Sequence, residues 1–438
     1  MSDLHRLDIA GLRAAYAAGT ATPAQVVDHY LARIDVHDPR IRAYIEVDRE
    51  GARTAAAESG RLIGEGRARP LEGVPVAAKA NIAVRGLEWN AGMALRRGMV
   101  ASEDAEAVRR LRAAGAIILG TLNMHEAALG ATTDNPWFGR TMNPHRIGHT
   151  PGGSSGGSGA AVAAGLCVAA LGTDTLGSIR IPAAYNGVYG IKPTHGAISA
   201  AGLAPLSEWL DVIGPIAHSL DDLEELLRVL CDAVEAGPVP GHLVLLENFD
   251  GIECDPAVLD AYQRASALLD DMPRRTLRLE DSAADIRFAG FVVAARELIG
   301  HLGSARAEAP DKLSEELRFM LDYAEGRPDE EVVRARAILS RTREAVRAAV
   351  GRDGALLMPT APQAAFPHGP RPPVTQSAFT GLANIAGLPA ISLPAGLDGD
   401  GLPVAIQLVG PEWSEAALIA LARRLDAGIA GYTPSPLM

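Results

Sequence analysis

The sequence predicts an α/β protein in which a central mixed or mainly parallel β-sheet is covered by helices on both faces. Helical segments alternate with short apolar runs that have the length of buried strands. A helix over Ala105–Ala114 is followed by the strand Gly115–Gly120. A helix over Ala160–Gly165 is likewise followed by the strand Leu166–Leu171. The chain has 438 residues without an internal repeat, and we expect residues 1–438 to form one domain.

The elements before these pairs are predicted from caps and apolar spacing. Thr22, Pro23 and Gln25 form a capping-box pattern, and an apolar stripe follows it, so a helix should begin here. An alanine-rich helix is expected over Ala52–Ile63. The apolar residues between Leu71 and Lys79 then predict a buried strand that ends at a charged side chain.

The second half of the chain continues the pattern. Ser219 is placed to cap a helix, and residues 284–350 are charged and helical, which favours a peripheral cap over a pocket. Strands at Gly354–Pro359 and Ala390–Pro394 are expected to rejoin the sheet. Residues 131–159 are rich in Thr, Asn, Pro, Gly and Ser, and are expected to be mostly loop.

Composition excludes several functional classes. The net charge of -12 disfavours nucleic acid and anionic membrane surfaces as partners. The three cysteines lie far apart without metal-ligand spacing, which suits a reducing compartment. Residues 1–10 carry charges unlike a signal peptide, and the longest apolar stretch, Ala160–Leu171, is about half of a membrane span. We therefore expect a cytoplasmic protein without a metal or an organic cofactor.

The most informative stretch is the Gly/Ser-rich segment 151–159, followed by residues 172–184. A flexible linker would have polar flanks, whereas this segment runs into an apolar helix. A phosphate-binding loop fails because no Gly-Lys-Ser/Thr closes it, and Leu176 and Arg180 break the Gly-x-Ser-x-Gly elbow around Ser178. The glycines and small residues before Ser178 instead permit a tight turn whose N–H groups could stabilise an oxyanion.

Together these two segments resemble the signature of the amidase signature family. The resemblance continues through Gly187–Thr194, Leu210–Pro215 and Leu402–Gly410, and upstream through Gly73–Ile82 and Gly120–Glu126, so it covers nearly the whole chain. It implies the amidase signature fold and a cofactor-free serine hydrolase. Lys79 would be the base, Ser154 a bridging serine after a cis peptide bond, and Ser178 the acylated nucleophile.

The physical logic of this triad holds independently of the resemblance. Burial of a strand-end lysine disfavours its charged form, so Lys79 could accept the proton that Ser154 relays from Ser178. The resemblance further implies supporting roles for a larger set of residues. The oxyanion donors would be the N–H groups of Thr175, Leu176, Gly177 and Ser178; Ser155, Ser158 and Thr173 would bond around Lys79 and Ser154; Asp174 and Arg180 would brace the loops; Ala128, Leu129 and Gly130 would lie nearest the substrate.

Several positions leave alternatives open. Arg180 could recognise a substrate carboxylate instead of bracing a loop. Trp209 could contact a hydrophobic leaving group or simply belong to the core. His125 and Glu126 lack the spacing of a metal site, so His125 is expected to be structural.

Three positions depart from the family pattern. Leu176 replaces the usual Gly or Ala, Ala80 a common Asp, and Asn186 a frequent Cys, which favours an unusual substrate.

The expected function is a stand-alone bacterial-type amidase for small neutral amides, anilides or carbamates (urethanes), with esterase side activity, as a monomer or homodimer. One alternative is the amidase component of an aminoacyl-tRNA amidotransferase complex, although Ile181 stands where those proteins commonly have Gln. A non-catalytic scaffold protein is the second alternative, which retention of all three triad positions disfavours.

Overall fold

The structure, a computed structural model, describes residues 3–232, 239–247, 251–369 and 371–438. The strands of this part of the chain are β1 (Tyr44–Val47), β2 (Pro75–Lys79), β3 (Ile117–Leu122), β4 (Asp134–Asn135), β5 (Gly139–Arg140), β6 (Ala169–Asp174), β7 (Tyr189–Lys192), β8 (Val212–Ala217), β9 (His242–Leu246), β10 (Arg274–Leu277), β11 (Gly354–Pro359), β12 (Ala390–Leu397) and β13 (Pro403–Val409).

The α-helices of the same residues precede, separate and follow these strands. They are α1 (Ile9–Ala17), α2 (Pro23–Ile41), α3 (Arg49–Gly64), α4 (Glu106–Ala113), α5 (Gly156–Ala163), α6 (Arg180–Tyr185), α7 (Leu220–Leu230), α8 (Pro256–Ala267), α9 (Ala283–Leu302), α10 (Ala305–Glu308), α11 (Glu315–Glu325), α12 (Asp329–Val350), α13 (Gly381–Ala386) and α14 (Glu415–Ile429). None of the described helices combines the length and hydropathy needed to cross a bilayer.

Eleven of the described strands form one mixed sheet in the order β1-β3-β2-β6-β8-β7-β12-β13-β11-β9-β10, and β4 pairs with β5 alone. The neighbours β3, β2 and β6 are parallel, as are β11, β9 and β10, whereas the strands between these two groups pair antiparallel. The α/β prediction is thus confirmed, and the sheet is the mixed one of the two alternatives.

Both faces of the sheet are buried. Successive residues of a strand point to opposite faces. In β11, Leu357 belongs to one buried apolar cluster and its neighbours Leu356 and Met358 to another, and all three are 0% exposed. The helices therefore cover the sheet on two sides, as the apolar runs of the sequence indicate.

The predicted caps form. The Thr22 hydroxyl accepts from Gln25 N at 3.2 Å, while the Gln25 side chain accepts from Thr22 N at 2.9 Å. Ser219 caps α7 by accepting from Asp222 N at 3.0 Å. These bonds satisfy backbone donors at the helix starts that would otherwise lack partners.

The structure differs from expectation in the Gly/Ser segment, since α5 begins at Gly156 and not at Ala160. The last four residues of the expected loop, Gly156 to Gly159, are buried and helical. A Cβ on Gly157 would lie 2.3 Å from the Asn123 carbonyl oxygen. Glycine is therefore required here for close backbone packing and not for flexibility.

Candidate active site

Lys79 is the last residue of β2 and lies at the same sheet edge as the end of β6. The two strands run parallel, with Ala78 opposite Leu171, so their carboxyl ends meet. Lys79 is completely buried, and its Nζ lies 2.7 Å from Ser154 Oγ and 2.7 Å from Thr173 Oγ1. The strand-end position read from the sequence therefore places the amine between two hydroxyls.

The electrostatics of this amine favour its neutral form. Burial lowers the pKa of Lys79 from 10.5 to about 7, and the carboxylates of Asp211 and Asp174 oppose the shift without cancelling it. No described carboxylate lies within ion-pair distance of Nζ. Near neutral pH, Lys79 can therefore accept a proton from a neighbouring hydroxyl.

Ser154 joins this amine to the turn that carries Ser178. The Gly153–Ser154 peptide bond is cis, as the family resemblance implies. The Ser154 carbonyl accepts from His125 N at 3.0 Å, and the next residue, Ser155, donates its N–H to the Ser178 carbonyl at 3.2 Å. Backbone hydrogen bonds thus hold the two signature segments against each other.

The turn from Asp174 to Ile179 is held from inside by the Asp174 carboxylate. Its Oδ1 accepts from Gly177 N at 2.7 Å and its Oδ2 from Ile179 N at 3.2 Å. Gly177 adopts φ +130°, and a Cβ there would lie 2.2 Å from Thr380 Oγ1, so both conformation and space require glycine.

This arrangement changes the expected set of oxyanion donors. The N–H of Gly177 is already bonded to Asp174. Among the described residues, the backbone N–H groups of Thr175, Leu176 and Ser178 are assigned no acceptor. Three of the four expected donors are thus free to bind a developing negative charge on a ligand.

Arg180 braces this turn from below. Arg180 and Asp174 form an ion pair at 3.0 Å in which both side chains are 0% exposed. The guanidinium also donates to Gln407 Oε1 and Asn384 Oδ1, both at 2.7 Å. The alternative that Arg180 binds a substrate carboxylate is wrong, because the side chain has no access to a ligand.

The three hydroxyls expected around Lys79 have different partners. Thr173 contacts Lys79 and also accepts from Asn81 Nδ2 at 3.2 Å. Ser155 Oγ donates to the Thr173 carbonyl at 3.1 Å and Ser158 Oγ to the Leu171 carbonyl at 3.0 Å. Ser155 and Ser158 therefore tie α5 to the backbone of β6, and only Thr173 touches Lys79.

Ser178 opens onto a pocket of about 260 Å³. The expected residues Ala128, Leu129 and Gly130 line it. Sequence reasoning missed the side chains that close it from the helical segment 284–350, although it expected a cap there. These are Arg287, Phe291 and Ala294 of α9 and Met320 of α11. The signal was present, because Arg287, Phe291 and Ala294 have the spacing of one helix face.

Trp209 does not lie in this pocket. It is 37% exposed and lines a separate cavity with residues of α9 and α12, including Glu297 and Arg336. The expected contact with a leaving group is wrong, and so is the core alternative. The side chain is in neither place because the loop before β8 turns it outward against α12.

His125 and Glu126 are structural, as expected. Burial lowers the pKa of His125 to about 4, and its Nδ1 lies 3.3 Å from the Thr132 hydroxyl. Glu126 Oε1 accepts from Trp137 Nε1 at 2.7 Å and from Ser314 N at 3.2 Å. Within the described residues, no group of three or more His, Cys, Asp or Glu side chains could hold a metal ion.

Comparison with known proteins decides the family. A family model described as Amidase matches residues 25–240 and 254–419. The chain belongs to the amidase signature family. Its fold and its Lys79, Ser154 and Ser178 arrangement are thus those of an amidase signature protein.

Curated relatives and solved structures agree with this membership. The tRNA-dependent relative is the A component of the glutamyl-tRNA(Gln) amidotransferase from Synechococcus sp. (strain WH7803), which is 36% identical over 95% of this chain and 96% of its own. A structure described as a vestigial protein complex that reveals the origins of an s-triazine catabolic enzyme has a TM-score of 0.90 at 30% identity, covering 98% of this chain and 100% of its own. The native peptide amidase from Stenotrophomonas maltophilia has a TM-score of 0.82 at 30% identity, covering 98% of both chains.

Proposed function

We propose that this chain is a serine hydrolase that cleaves the C–N bond of small amides, anilides or carbamates, with esterase side activity. The observation that carries the proposal is the buried amine of Lys79, with a pKa near 7, at 2.7 Å from Ser154 Oγ. An amine in this state is a general base at neutral pH. A scaffold protein would have no need of an unpaired buried lysine, which destabilises the fold.

The first half of the reaction forms an acyl-enzyme. Neutral Lys79 takes the proton of Ser154 Oγ, which in turn takes the proton of Ser178 Oγ as that oxygen attacks the substrate carbonyl. The free N–H groups of Thr175, Leu176 and Ser178 stabilise the oxyanion. When the tetrahedral intermediate collapses, the relay runs backwards and delivers the proton to the departing amine nitrogen.

The second half regenerates the enzyme. Water attacks the acyl group on Ser178 and gives its proton to the same relay. Ser178 leaves as the acid product forms, and Lys79 returns to its neutral state. α9 and α11, within the helical segment 284–350, serve as a cap that screens the acyl-enzyme, since Phe291 and Met320 line the pocket over it.

The test is hydrolysis by the purified chain of four compounds: a 4-nitroanilide, a primary amide, a 4-nitrophenyl ester and an aryl carbamate. At least one should be turned over, and Ser178→Ala should abolish its turnover. Ser377→Ala removes another hydroxyl from the same pocket and should retain turnover. Failure of the wild-type chain on all four, or full activity of Ser178→Ala, would overturn the proposal.

A second candidate is an amidase component that works within an amidotransferase complex, favoured by the 36% identity to the glutamyl-tRNA(Gln) amidotransferase protein of Synechococcus. Such a component should hydrolyse glutamine only when its partner proteins are added. The same panel separates the two, because a stand-alone enzyme needs no partner for turnover.

A further inference from the structure

The pocket at Ser178 contains a single ionisable cation. Among the described residues that line it, the only charged side chain is Arg287. Its neighbours in the lining include Leu129, Leu206 and Phe291, which are apolar. A guanidinium remains protonated at every pH at which an enzyme works, so this apolar pocket has a permanent positive charge.

The position of Arg287 is fixed by α9. Arg287, Phe291 and Ala294 occupy one face of the helix and all line the pocket. Gly290 lies beside them, and a Cβ there would be 3.1 Å from Leu176 Cδ1. The helix thus packs directly on the turn that carries Ser178, and Arg287 is part of the pocket wall.

Arg287 has no counter-charge within the described part of the protein. No described carboxylate lies within ion-pair distance of it and no described acceptor takes its hydrogen bonds, and partial burial lowers its pKa. Other arginines of the same helical segment have partners: Arg296 donates to the Arg327 carbonyl at 2.7 Å, and Arg341 pairs with Asp281 at 2.8 Å. An unpaired cation in an apolar wall is unfavourable until an anion binds it.

We infer that Arg287 binds a carboxylate carried by the substrate, so that the substrate is an amide or carbamate with an anionic substituent and not a neutral one. This inference rests on the proposed hydrolase function and narrows its substrate class. A carboxylate matches the planar fork of one guanidinium with two parallel hydrogen bonds. A phosphate dianion would need further cationic donors, which the described lining does not provide.

The experiment uses two matched pairs of anilides. In the first pair the acyl side differs: glutaryl-4-nitroanilide against the same anilide with its carboxylate converted to a dimethylamide. In the second pair the amine side differs: N-butyryl-4-aminobenzoate against its dimethylamide. The wild-type chain, Arg287→Gln, Arg287→Lys and Ser178→Ala are compared. Arg334→Gln, which removes an exposed cation of α12, is the control for net charge.

We expect the wild-type chain to prefer the carboxylate in one of the pairs, which identifies the side of the substrate that Arg287 contacts. Arg287→Gln should lower kcat/KM for that compound on the order of 100-fold, mostly through KM, and change the neutral partner little. Arg287→Lys should restore part of the preference, and Arg334→Gln should keep all of it.

The outcomes separate the two proposals. A carboxylate-to-neutral ratio near one in both pairs, or an equal loss on both members in Arg287→Gln with an unchanged melting temperature, overturns the inference and leaves the hydrolase intact. If Arg287→Gln melts early, the ratio for Arg287→Lys decides in its place. No turnover of any of the four anilides by the wild-type chain overturns the proposed function and the inference with it.

Discussion

Replacing Lys79 by methionine should abolish activity and yet stabilise the fold at neutral and acidic pH. The lysine has a pKa of 10.5 when exposed in the unfolded chain and about 7 in the folded one. Between these values the unfolded chain binds more protons than the folded chain, so wild-type stability rises with pH across this window. Below the folded pKa the unfavourable contribution is at its maximum, about 5 kcal/mol at 1.36 kcal/mol for each pKa unit.

Methionine retains most of the aliphatic stem but loses both hydrogen bonds, to Ser154 and Thr173. At about 1 kcal/mol for each bond, this loss offsets about 2 kcal/mol of the gain. Lys79→Met should therefore be more stable than wild type by roughly 2–3 kcal/mol near pH 6, and the advantage should vanish by about pH 9.5.

Urea unfolding followed by circular dichroism measures this difference at several pH values. Lys312→Met, which removes an exposed lysine, is the matched control and should follow the wild type throughout. The reasoning is refuted if the difference between Lys79→Met and wild type is constant across this range, or if Lys79→Met is the less stable protein at pH 6.

The remaining expectations concern the pH profile, the buried ion pair and the pocket wall. Wild-type kcat/KM should rise with pH through about 7 and then level off, because only neutral Lys79 accepts a proton; a profile flat across this range would contradict the mechanism. Arg180→Met should destabilise the fold by roughly 3–5 kcal/mol in urea unfolding, because Asp174 loses its counter-charge, while Arg61→Met on the surface should change little; equal effects would count against a structural role. Leu176→Ala should enlarge the pocket beside α9 and raise kcat/KM for hexanoyl over butyryl 4-nitroanilide roughly tenfold, and an unchanged ratio would show that Leu176 does not limit the acyl group.

The sequence predicted those features of the site that depend on local chemistry. Lys79 at the end of an apolar run had to be buried, and the glycines before Ser178 had to allow a tight turn. The Thr22 capping box and the Ser219 cap were likewise local, and both form. Such features depend on neighbours within a few residues, which a single sequence displays.

Features that depend on distant packing were predicted less well. The start of α5 at Gly156 is set by the approach of Asn123, and the engagement of Gly177 N by Asp174 follows from the shape of the turn. Arg287 escaped notice because nothing in a charged helical segment indicates which face meets a pocket formed by residues about 100 or more positions earlier. Trp209 was misplaced for the same reason.

The Asp174–Arg180 pair explains how a rigid catalytic turn is held by a set of separate loops. Asp174 fixes the turn through two backbone N–H groups, and Arg180 connects that carboxylate to Gln407 in β13 and to Asn384 in α13. Burial alone would raise the pKa of Asp174, but the ion pair with Arg180 keeps it below its ordinary value, so the carboxylate stays charged and continues to accept both bonds. The two arginines near the reaction centre therefore have opposite states that follow from their surroundings. Arg180 is fully paired and serves the protein, whereas Arg287 has no partner among the described residues and remains available to a substrate.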